Sequence, residues 1–474
     1  DDVAQEVQQS LKYLVGSGRH SRTYLVELDG FLMESPVTWY ASTKTWSMSP
    51  GYDHAGHSGF ERAADFGCLV CHVGTAEPIG RALNRLLISE TAIGCERCHG
   101  PGAAHVDKWK SIGHVDSGSD QPPDNSILHP GQLSRELQEA ICSQCHLRGE
   151  ATVFLPGKSV DDFRPGESLT ATRIDYQLER NSGDMTVVGH VDQMHASRCY
   201  QQSSTMTCST CHDSHAERLP DNAAGFYRNK CIQCHSNDAC GISISERQKR
   251  DTTDNCVKCH MPQAPTDIPH IAFTHHRIGI HDATSPARSE SKVPGRLVPF
   301  GDVSGLSKMQ QQRCLGLACA ELIDRGLPPD TARHYRELAI ELLEGVVQSG
   351  EADGDVFAAM ARFAWEDEKP RQAQAYAQQA LSDAKLSSKA RVNSLLISGD
   401  CFLQNRQSSN AVVPLEELVK LRRSSQDWLL LGISRFQSGQ KQSGITAVRQ
   451  ATLIQPFRTD LPKTLSDMQR AAKQ

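Results

Sequence analysis

From about residue 308 to the end of the chain, apolar residues recur at helix spacing, and few glycines or prolines interrupt them. That pattern predicts helices. It also repeats, with starts near residues 354, 392 and 425 that are 38 and 33 residues apart. The earlier part of the chain reads differently. TYLVEL is strand-like, VVGHVDQMH opens a helix leading to Cys199, and CHGPG turns sharply. Short helices joined by long loops are the expectation there. The change comes near residue 290, after the polar, proline-bearing stretch TSPARSESKVPG, so we divide the chain into residues 1–290, a linker over 291–307 and a helical region over 308–474.

In the last repeat, Trp428, Leu431, Gly432, Val448, Ala451 and Pro456 fall where the tetratricopeptide pattern puts its aromatic, Leu-Gly, alanine-type and proline positions. Leu395, Gly399, Phe402, Ala411, Leu415 and Leu418 fit another copy, and Phe357, Ala361, Ala373, Ala377 and Ala380 a third. A degenerate helical pair over 308–350 joins them to the first region. An unrelated helical bundle is the competing reading. Pairs of this type stack into a curved solenoid whose concave face commonly binds a partner, and nothing in the stretch looks catalytic. Cys314, Cys319 and Cys401 read there as small apolar core residues.

Composition changes the picture of the first region. Of the 17 cysteines and 20 histidines in the 474 residues, 14 cysteines lie at or before Cys259 and 19 histidines at or before His281. Most of these cysteines fall into six copies of one pentapeptide. They are Cys68, Cys71, His72; Cys95, Cys98, His99; Cys142, Cys145, His146; Cys208, Cys211, His212; Cys231, Cys234, His235; and Cys256, Cys259, His260. C-x-x-C-H is the c-type haem attachment signature. Two thioethers fix the porphyrin edge, and the next imidazole falls beneath the iron as its proximal ligand. A single C-x-x-C could be a zinc knuckle or a redox pair; six copies with the histidine in the same place point to six covalently bound haems. Cofactors packed this densely replace much of the usual core.

Each iron has a second axial position. A second histidine closes it for electron transfer, and a vacant one can bind and transform a small molecule. Thirteen further histidines lie in the same region. His215 follows proximal His212 by three residues, which span at most about 11 Å, too short to round a porphyrin edge, so it would serve a neighbouring haem. His105 follows His99 beyond a Gly-Pro-Gly turn and is placed to reach a second haem. His20, His190, His270 and His276 are further candidates, with His54, His57, His129, His195 and His275 in reserve and Met194 and Met206 as rivals. Cys199 and Cys240 remain, and an oxidising compartment favours a disulfide between them.

The net charge of −6 gives no footprint for nucleic acid. No apolar run approaches the roughly 20 residues that span a bilayer. Covalent haem attachment takes place outside the cytoplasm, so the bare start DDVAQEVQQS reads as a periplasmic or exported protein whose leader has been removed.

The stretches GSGRHSRTYL, SPVTWY, CERCHGPGAAHV, CHDSH, CHMP and DIPHIAFTHHRI, spread over roughly residues 14–280, carry a family resemblance. The region resembles the multihaem c-type cytochromes related to the tetrahaem electron acceptor of hydroxylamine oxidoreductase. More closely, it resembles a bacterial group in which such a domain is fused to tetratricopeptide repeats. The resemblance implies bis-histidine coordination, stacked haem pairs, and distal-ligand roles for His20, His105, His190, His215, His270 and His276. The chain departs from the tetrahaem relatives in its six motifs and helical extension, so their partner does not carry over. It has no C-x-x-C-K motif, so nothing supports the lysine-ligated catalytic haem of the related nitrite reductases.

The fold expected is mainly α: a haem-packed domain with little regular structure, then an α-solenoid. The function expected is electron carriage between a protein donor and a protein acceptor, with the repeats docking a partner. Self-association is open. The alternative is an oxidoreductase with one open haem acting on a small nitrogen or sulfur compound, for which Arg198, Arg277 and His281 are the hints. A third reading makes the haem region a scaffold for the repeats.

Overall fold

The structure is a computed structural model that describes residues 7–18, 20–54, 57–112, 124–179, 189–216, 221–263, 274–281 and 294–473. Helices make up most of its regular structure, as the fold class expected. Among the described residues there are also three small antiparallel sheets, of which the sequence offered only the strand-like run TYLVEL. The first is a meander of β1 (Leu11–Val15), β2 (Ser21–Leu28), β3 (Phe31–Tyr40) and β4 (Thr45–Met48). Leu28 pairs with Phe31 across Asp29 and Gly30, whose φ values are 55° and 81°. Positive φ at both central residues is what a two-residue hairpin turn needs to match strand twist.

Successive side chains of a strand point to opposite faces, and here both faces are used. Leu25 and Leu32 pack with Ala64, Leu69, Val73 and Leu86, while Val26, Phe31 and Met33 pack with Ala82 on the other side. Leu69 lies inside the first attachment motif and Val73 directly follows it, so this sheet seats it. A hairpin of β5 (Thr75–Pro78) and β6 (Leu86–Glu90) follows. The third sheet joins β7 (Ala151–Phe154), β8 (Arg173–Leu178) and β9 (Leu297–Pro299) in that order. Strand β9 lies inside the stretch read as a linker.

The helical region is an array of antiparallel pairs: Lys308–Ile323 with Pro329–Ser349, Gly354–Glu366 with Pro370–Ser382, Ser388–Gln404 with Ser408–Leu421, and Ser425–Gln437 with Lys441–Ile454, closed by Asp460–Lys473. The small residues of the repeat pattern let paired helices touch. A Cβ on Gly399 would lie 2.6 Å from Leu415 Cγ, and one on Gly432 would lie 2.5 Å from Val448 Cγ2. Cys314, Cys319 and Cys401 are fully buried, as small apolar residues in a core are.

The two regions share one hydrophobic core. Ala151, Val153, Ile174, Tyr176 and Leu297 of the third sheet pack with Cys314, Ala318, Cys319 and Leu322 of the first repeat helix. Buried Arg313 joins them as well, donating to the Phe154 carbonyl (3.0 Å) and to Asp353 (2.8 Å). Farther along, Leu83 packs against the apolar core around Leu395, Leu418 and Leu421, and polar contacts accompany it. Leu83 N–H donates to Leu421 O (3.0 Å), Arg423 pairs with Asp29 (2.9 Å), Ser425 Oγ donates to Glu61 (3.0 Å) and Gln455 Nε2 to Ser58 O (2.9 Å). On the array side these residues lie in the turns that follow second helices, so the first region is bound along one edge of the array.

Candidate functional site

The six motifs sit at the ends or in the turns of short helices. Asp65 caps Phe66–Leu69, accepting from Cys68 N–H at 2.9 Å. Glu96–His99, Cys208–Cys211 and Cys256–His260 are no longer than the motifs themselves, while Arg135–His146 and Ala223–Ile232 bring the third and fifth motifs at their carboxyl ends. In three motifs the histidine N–H donates to the carbonyl of the first cysteine: His99 to Cys95, His212 to Cys208 and His235 to Cys231. One helical turn thus sets both thiols and the imidazole.

The variable residues inside the motifs tie one motif to the next. Arg97 donates to the Val70 carbonyl in the first motif at 2.7 Å, and Gln144, inside the third, donates to the Arg97 carbonyl at 3.1 Å. Buried Arg173 donates to the carbonyls of Ser143, Gln144 and Leu147, closing the carboxyl end of Arg135–His146. At the sixth motif Asp254, at φ 48°, accepts from Arg228 (3.1 Å) and Arg247 (2.8 Å). None of these residues was singled out by sequence reasoning. Arg97 and Gln144 stood inside the motifs, while Arg173 and Asp254 carried no local signal.

The thiols fall into a chain. Cys71 lies beside Cys145, Cys142 beside Cys208, and Cys231 beside Cys256. Cys98 lies beside Cys142, and Cys211 beside Cys234 and Cys231. Cys199 lies near Cys211 and Cys231, and Cys240 near Arg247. Both are free thiols, so the expected disulfide between them is not formed: each faces a different neighbour.

The imidazoles gather across motifs. His215 faces His99 with centroids 6.0 Å apart and ring planes 21° apart. His276 faces His212 at 6.2 Å and 26°. His190 lies 5.3 Å from His146 and 4.5 Å from His276, making a four-ring cluster. Burial holds His146 and His212 below the ordinary imidazole pKa, and pushes His276 down to about 4. His72 is lowered in the same way. Neutral imidazole is the form that binds a metal. The Nδ1 atoms of His99, His260 and His276 meet the carbonyls of Leu128 (2.8 Å), Gly279 (2.9 Å) and Thr274 (2.8 Å), leaving Nε2 as the free nitrogen on each.

The remaining candidates are placed less decisively. His105 lines a cavity of about 700 Å³ together with Cys95 and His99 of its own motif, and its Nδ1 meets Asp124 at 2.7 Å. His20 closes the turn before β2, its carbonyl accepting from Ala41 N–H. His235 is exposed, and among the described residues no imidazole faces it. His270 lies outside the described residues. Among the reserves, His195 gives Nε2 to Glu139 (2.8 Å) and stacks on Tyr200, His129 Nε2 meets the Asp124 carbonyl, and His57 Nδ1 accepts from Gly59 N–H. His281, a hint for catalysis, donates Nε2 to the Arg277 carbonyl (2.9 Å).

These residues fit haem. An imidazole nitrogen lies about 2 Å from a first-row metal ion, so two rings sharing one ion have centroids roughly 6 Å apart. The His99–His215 and His212–His276 pairs have that separation. The 700 Å³ cavity at the second motif has the size of a small-molecule or cofactor site. Among the described residues no three His, Cys, Asp or Glu side chains converge to hold a bare metal ion, and none of the helices could cross a membrane.

No curated protein matches the chain. Among solved structures it is similar to MamA, residues 41 to the end, from Desulfovibrio magneticus RS-1. The two share 19% identity over 35% of this chain and 86% of that one, with a TM-score of 0.28. YrrB, a tetratricopeptide repeat protein with an unusual peptide-binding site, is similar at 15% identity over 35% of this chain and 84% of that one, with a TM-score of 0.24. Residues 39–100, which hold the first two attachment motifs, match the family of cytochrome c554 and c-prime, so the chain carries a region similar to c-type cytochromes.

Proposed function

We propose that the chain is an exported hexahaem c-type cytochrome that carries electrons along closely packed haems, each closed by two histidines, between a protein donor and a protein acceptor. The observation that carries this reading is the pairing of a proximal imidazole with a histidine from elsewhere in the chain at 6.0 Å and 6.2 Å. Covalently held haem supplies one-electron chemistry. The chain's own residues do the rest. Twelve motif cysteines fix the groups, and the proximal histidines His72, His99, His146, His212, His235 and His260 bind beneath them. His215, His276 and His190 stand nearest to closing the second, fourth and third sites. His20, His105 and His270 are proposed for the others.

The thiol contacts suggest an order. Motif one adjoins three, three adjoins two and four, four adjoins five, and five adjoins six. The helical array extends this unit and is proposed to dock a partner on the surfaces away from its bound edge. Intact-mass measurement of the mature protein tests the haem assignment. Six haem additions are expected, and a lower number in fully matured protein would overturn it.

A further inference from the structure

We propose that Asp124 is a positioning residue that strengthens His105 as an electron donor to iron, and so lowers the reduction potential of one haem below that of the haems whose ligands lack a carboxylate partner. The inference rests on the reading of His105 as an axial ligand. It comes from comparing the Nδ1 partners of four histidines, His99, His105, His260 and His276. His99, His260 and His276 meet neutral backbone carbonyls at 2.8, 2.9 and 2.8 Å. His105 meets a carboxylate oxygen of Asp124 at 2.7 Å. An ionised acceptor makes a hydrogen bond roughly twice as strong as a neutral one. By drawing the Nδ1 proton towards itself it raises the basicity of Nε2, which favours the ferric state; hydrogen bonding to an axial ligand is one of the levers by which a protein sets haem potential.

The carboxylate is built to stay in place. Asp124 is only 8% exposed. Its Oδ2 also accepts from Trp109 Nε1 (2.6 Å), and its Oδ1 accepts from Lys108 Nζ (3.0 Å), Ser126 N–H (2.9 Å) and Ser126 Oγ. His105, Lys108 and Trp109 lie three and four residues apart on the helix Ala103–Ile112, which puts them on one face. One face of one helix therefore presents three donors to a single carboxylate, and the imidazole is the one that also lines the cavity beside Cys95 and His99. Lys108 works against the effect, because its positive charge weakens the pull of Asp124 on the imidazole.

The test is a spectroelectrochemical titration of the full holo-protein and three variants, with low-temperature paramagnetic resonance of the ferric haems. Asp124→Asn should raise one of the six potentials and move one low-spin ferric signal. Lys108→Met should lower the same potential. Asp107→Asn is the control: Asp107 lines the same cavity but is a different carboxylate, so its removal reports the bare loss of a nearby charge. A shift in Asp124→Asn at least twice that in Asp107→Asn, with the signal change confined to the former, supports the proposal. Six unchanged potentials, or equal shifts in the two variants, overturn it. If Asp124→Asn fails to mature, the ferric signal decides: Lys108→Met should move one low-spin signal that Asp107→Asn leaves in place, and no movement overturns the proposal. The underlying reading fails separately: His105→Ala would then leave all six haems low-spin.

Discussion

Arg173 spans the carboxyl end of the helix Arg135–His146, and its loss should be costly for two reasons. Three carbonyls would lose their donor, and Asp175, only 2% exposed, would lose its ion-pair partner at 2.9 Å. Breaking a buried pair from one side costs about 3–5 kcal/mol, so Arg173→Ala should lower unfolding stability by that order in denaturant titration, and Arg173→Ala with Asp175→Ala should recover part of it. In the helical array Gly432 plays an opposite part, because it gives space rather than contact. A Cβ there would meet Val448 Cγ2 at 2.5 Å and the Gly444 carbonyl oxygen at 3.0 Å. Backbone cannot swing aside, so Gly432→Ala should destabilise by about 1–3 kcal/mol, as overpacking does. Calorimetric melting would show it; an unchanged melting temperature would mean the last pair is looser than described.

The elements differ in how far the sequence revealed them. The attachment motifs were legible because covalent haem chemistry confines both thiols and the proximal imidazole to five consecutive residues. The helical pairs were legible because each buries one stripe and repeats; helices begin at Gly354, Ser388 and Ser425, close to the starts read from spacing at 354, 392 and 425. Of the first sheet only the run TYLVEL, in β2, was read as strand-like; its other strands were missed although their signals are local. Asp29-Gly30 is a hairpin turn signature, and in β2 and β3 buried residues on both faces blur the usual alternation of apolar and polar residues, while β1 and β4 are mostly exposed. The distal imidazoles could be nominated by sequence but not assigned. His99 meets His215 and His212 meets His276 only after packing, which no local period encodes. Asp124 had no sequence signal at all: its partners lie on another element, and only the fold brings them together.

At the scale of the whole molecule the two regions share a core rather than being strung on a free tether. Ile174 and Tyr176 of β8 are buried with Cys314, Ala318 and Cys319 of the first repeat helix. The far end of the seam adds Leu83 against the array core and polar contacts of Arg423 with Asp29 and Ser425 with Glu61. The Arg423 side chain is only 9% exposed and Ser425 is buried, although Asp29 is exposed. Hydrogen bonds to charged groups are worth about 1.5–3 kcal/mol each, so Glu61→Ala with Arg423→Ala should lower the global unfolding midpoint. The same double variant should raise amide hydrogen exchange in the turn near residues 421–425 and in the facing segment near residues 58–61. Equal exchange in both proteins would show that the seam is held by its apolar contacts alone. Electron carriage, by contrast, rests on the irons being closed. The most direct measurement is a carbon monoxide titration of the fully reduced holo-protein, followed optically. Six haems each closed by two histidines should give no spectral change. A change amounting to about one haem in six would show an iron open to small molecules, contradict the electron-carrier account and favour an enzyme.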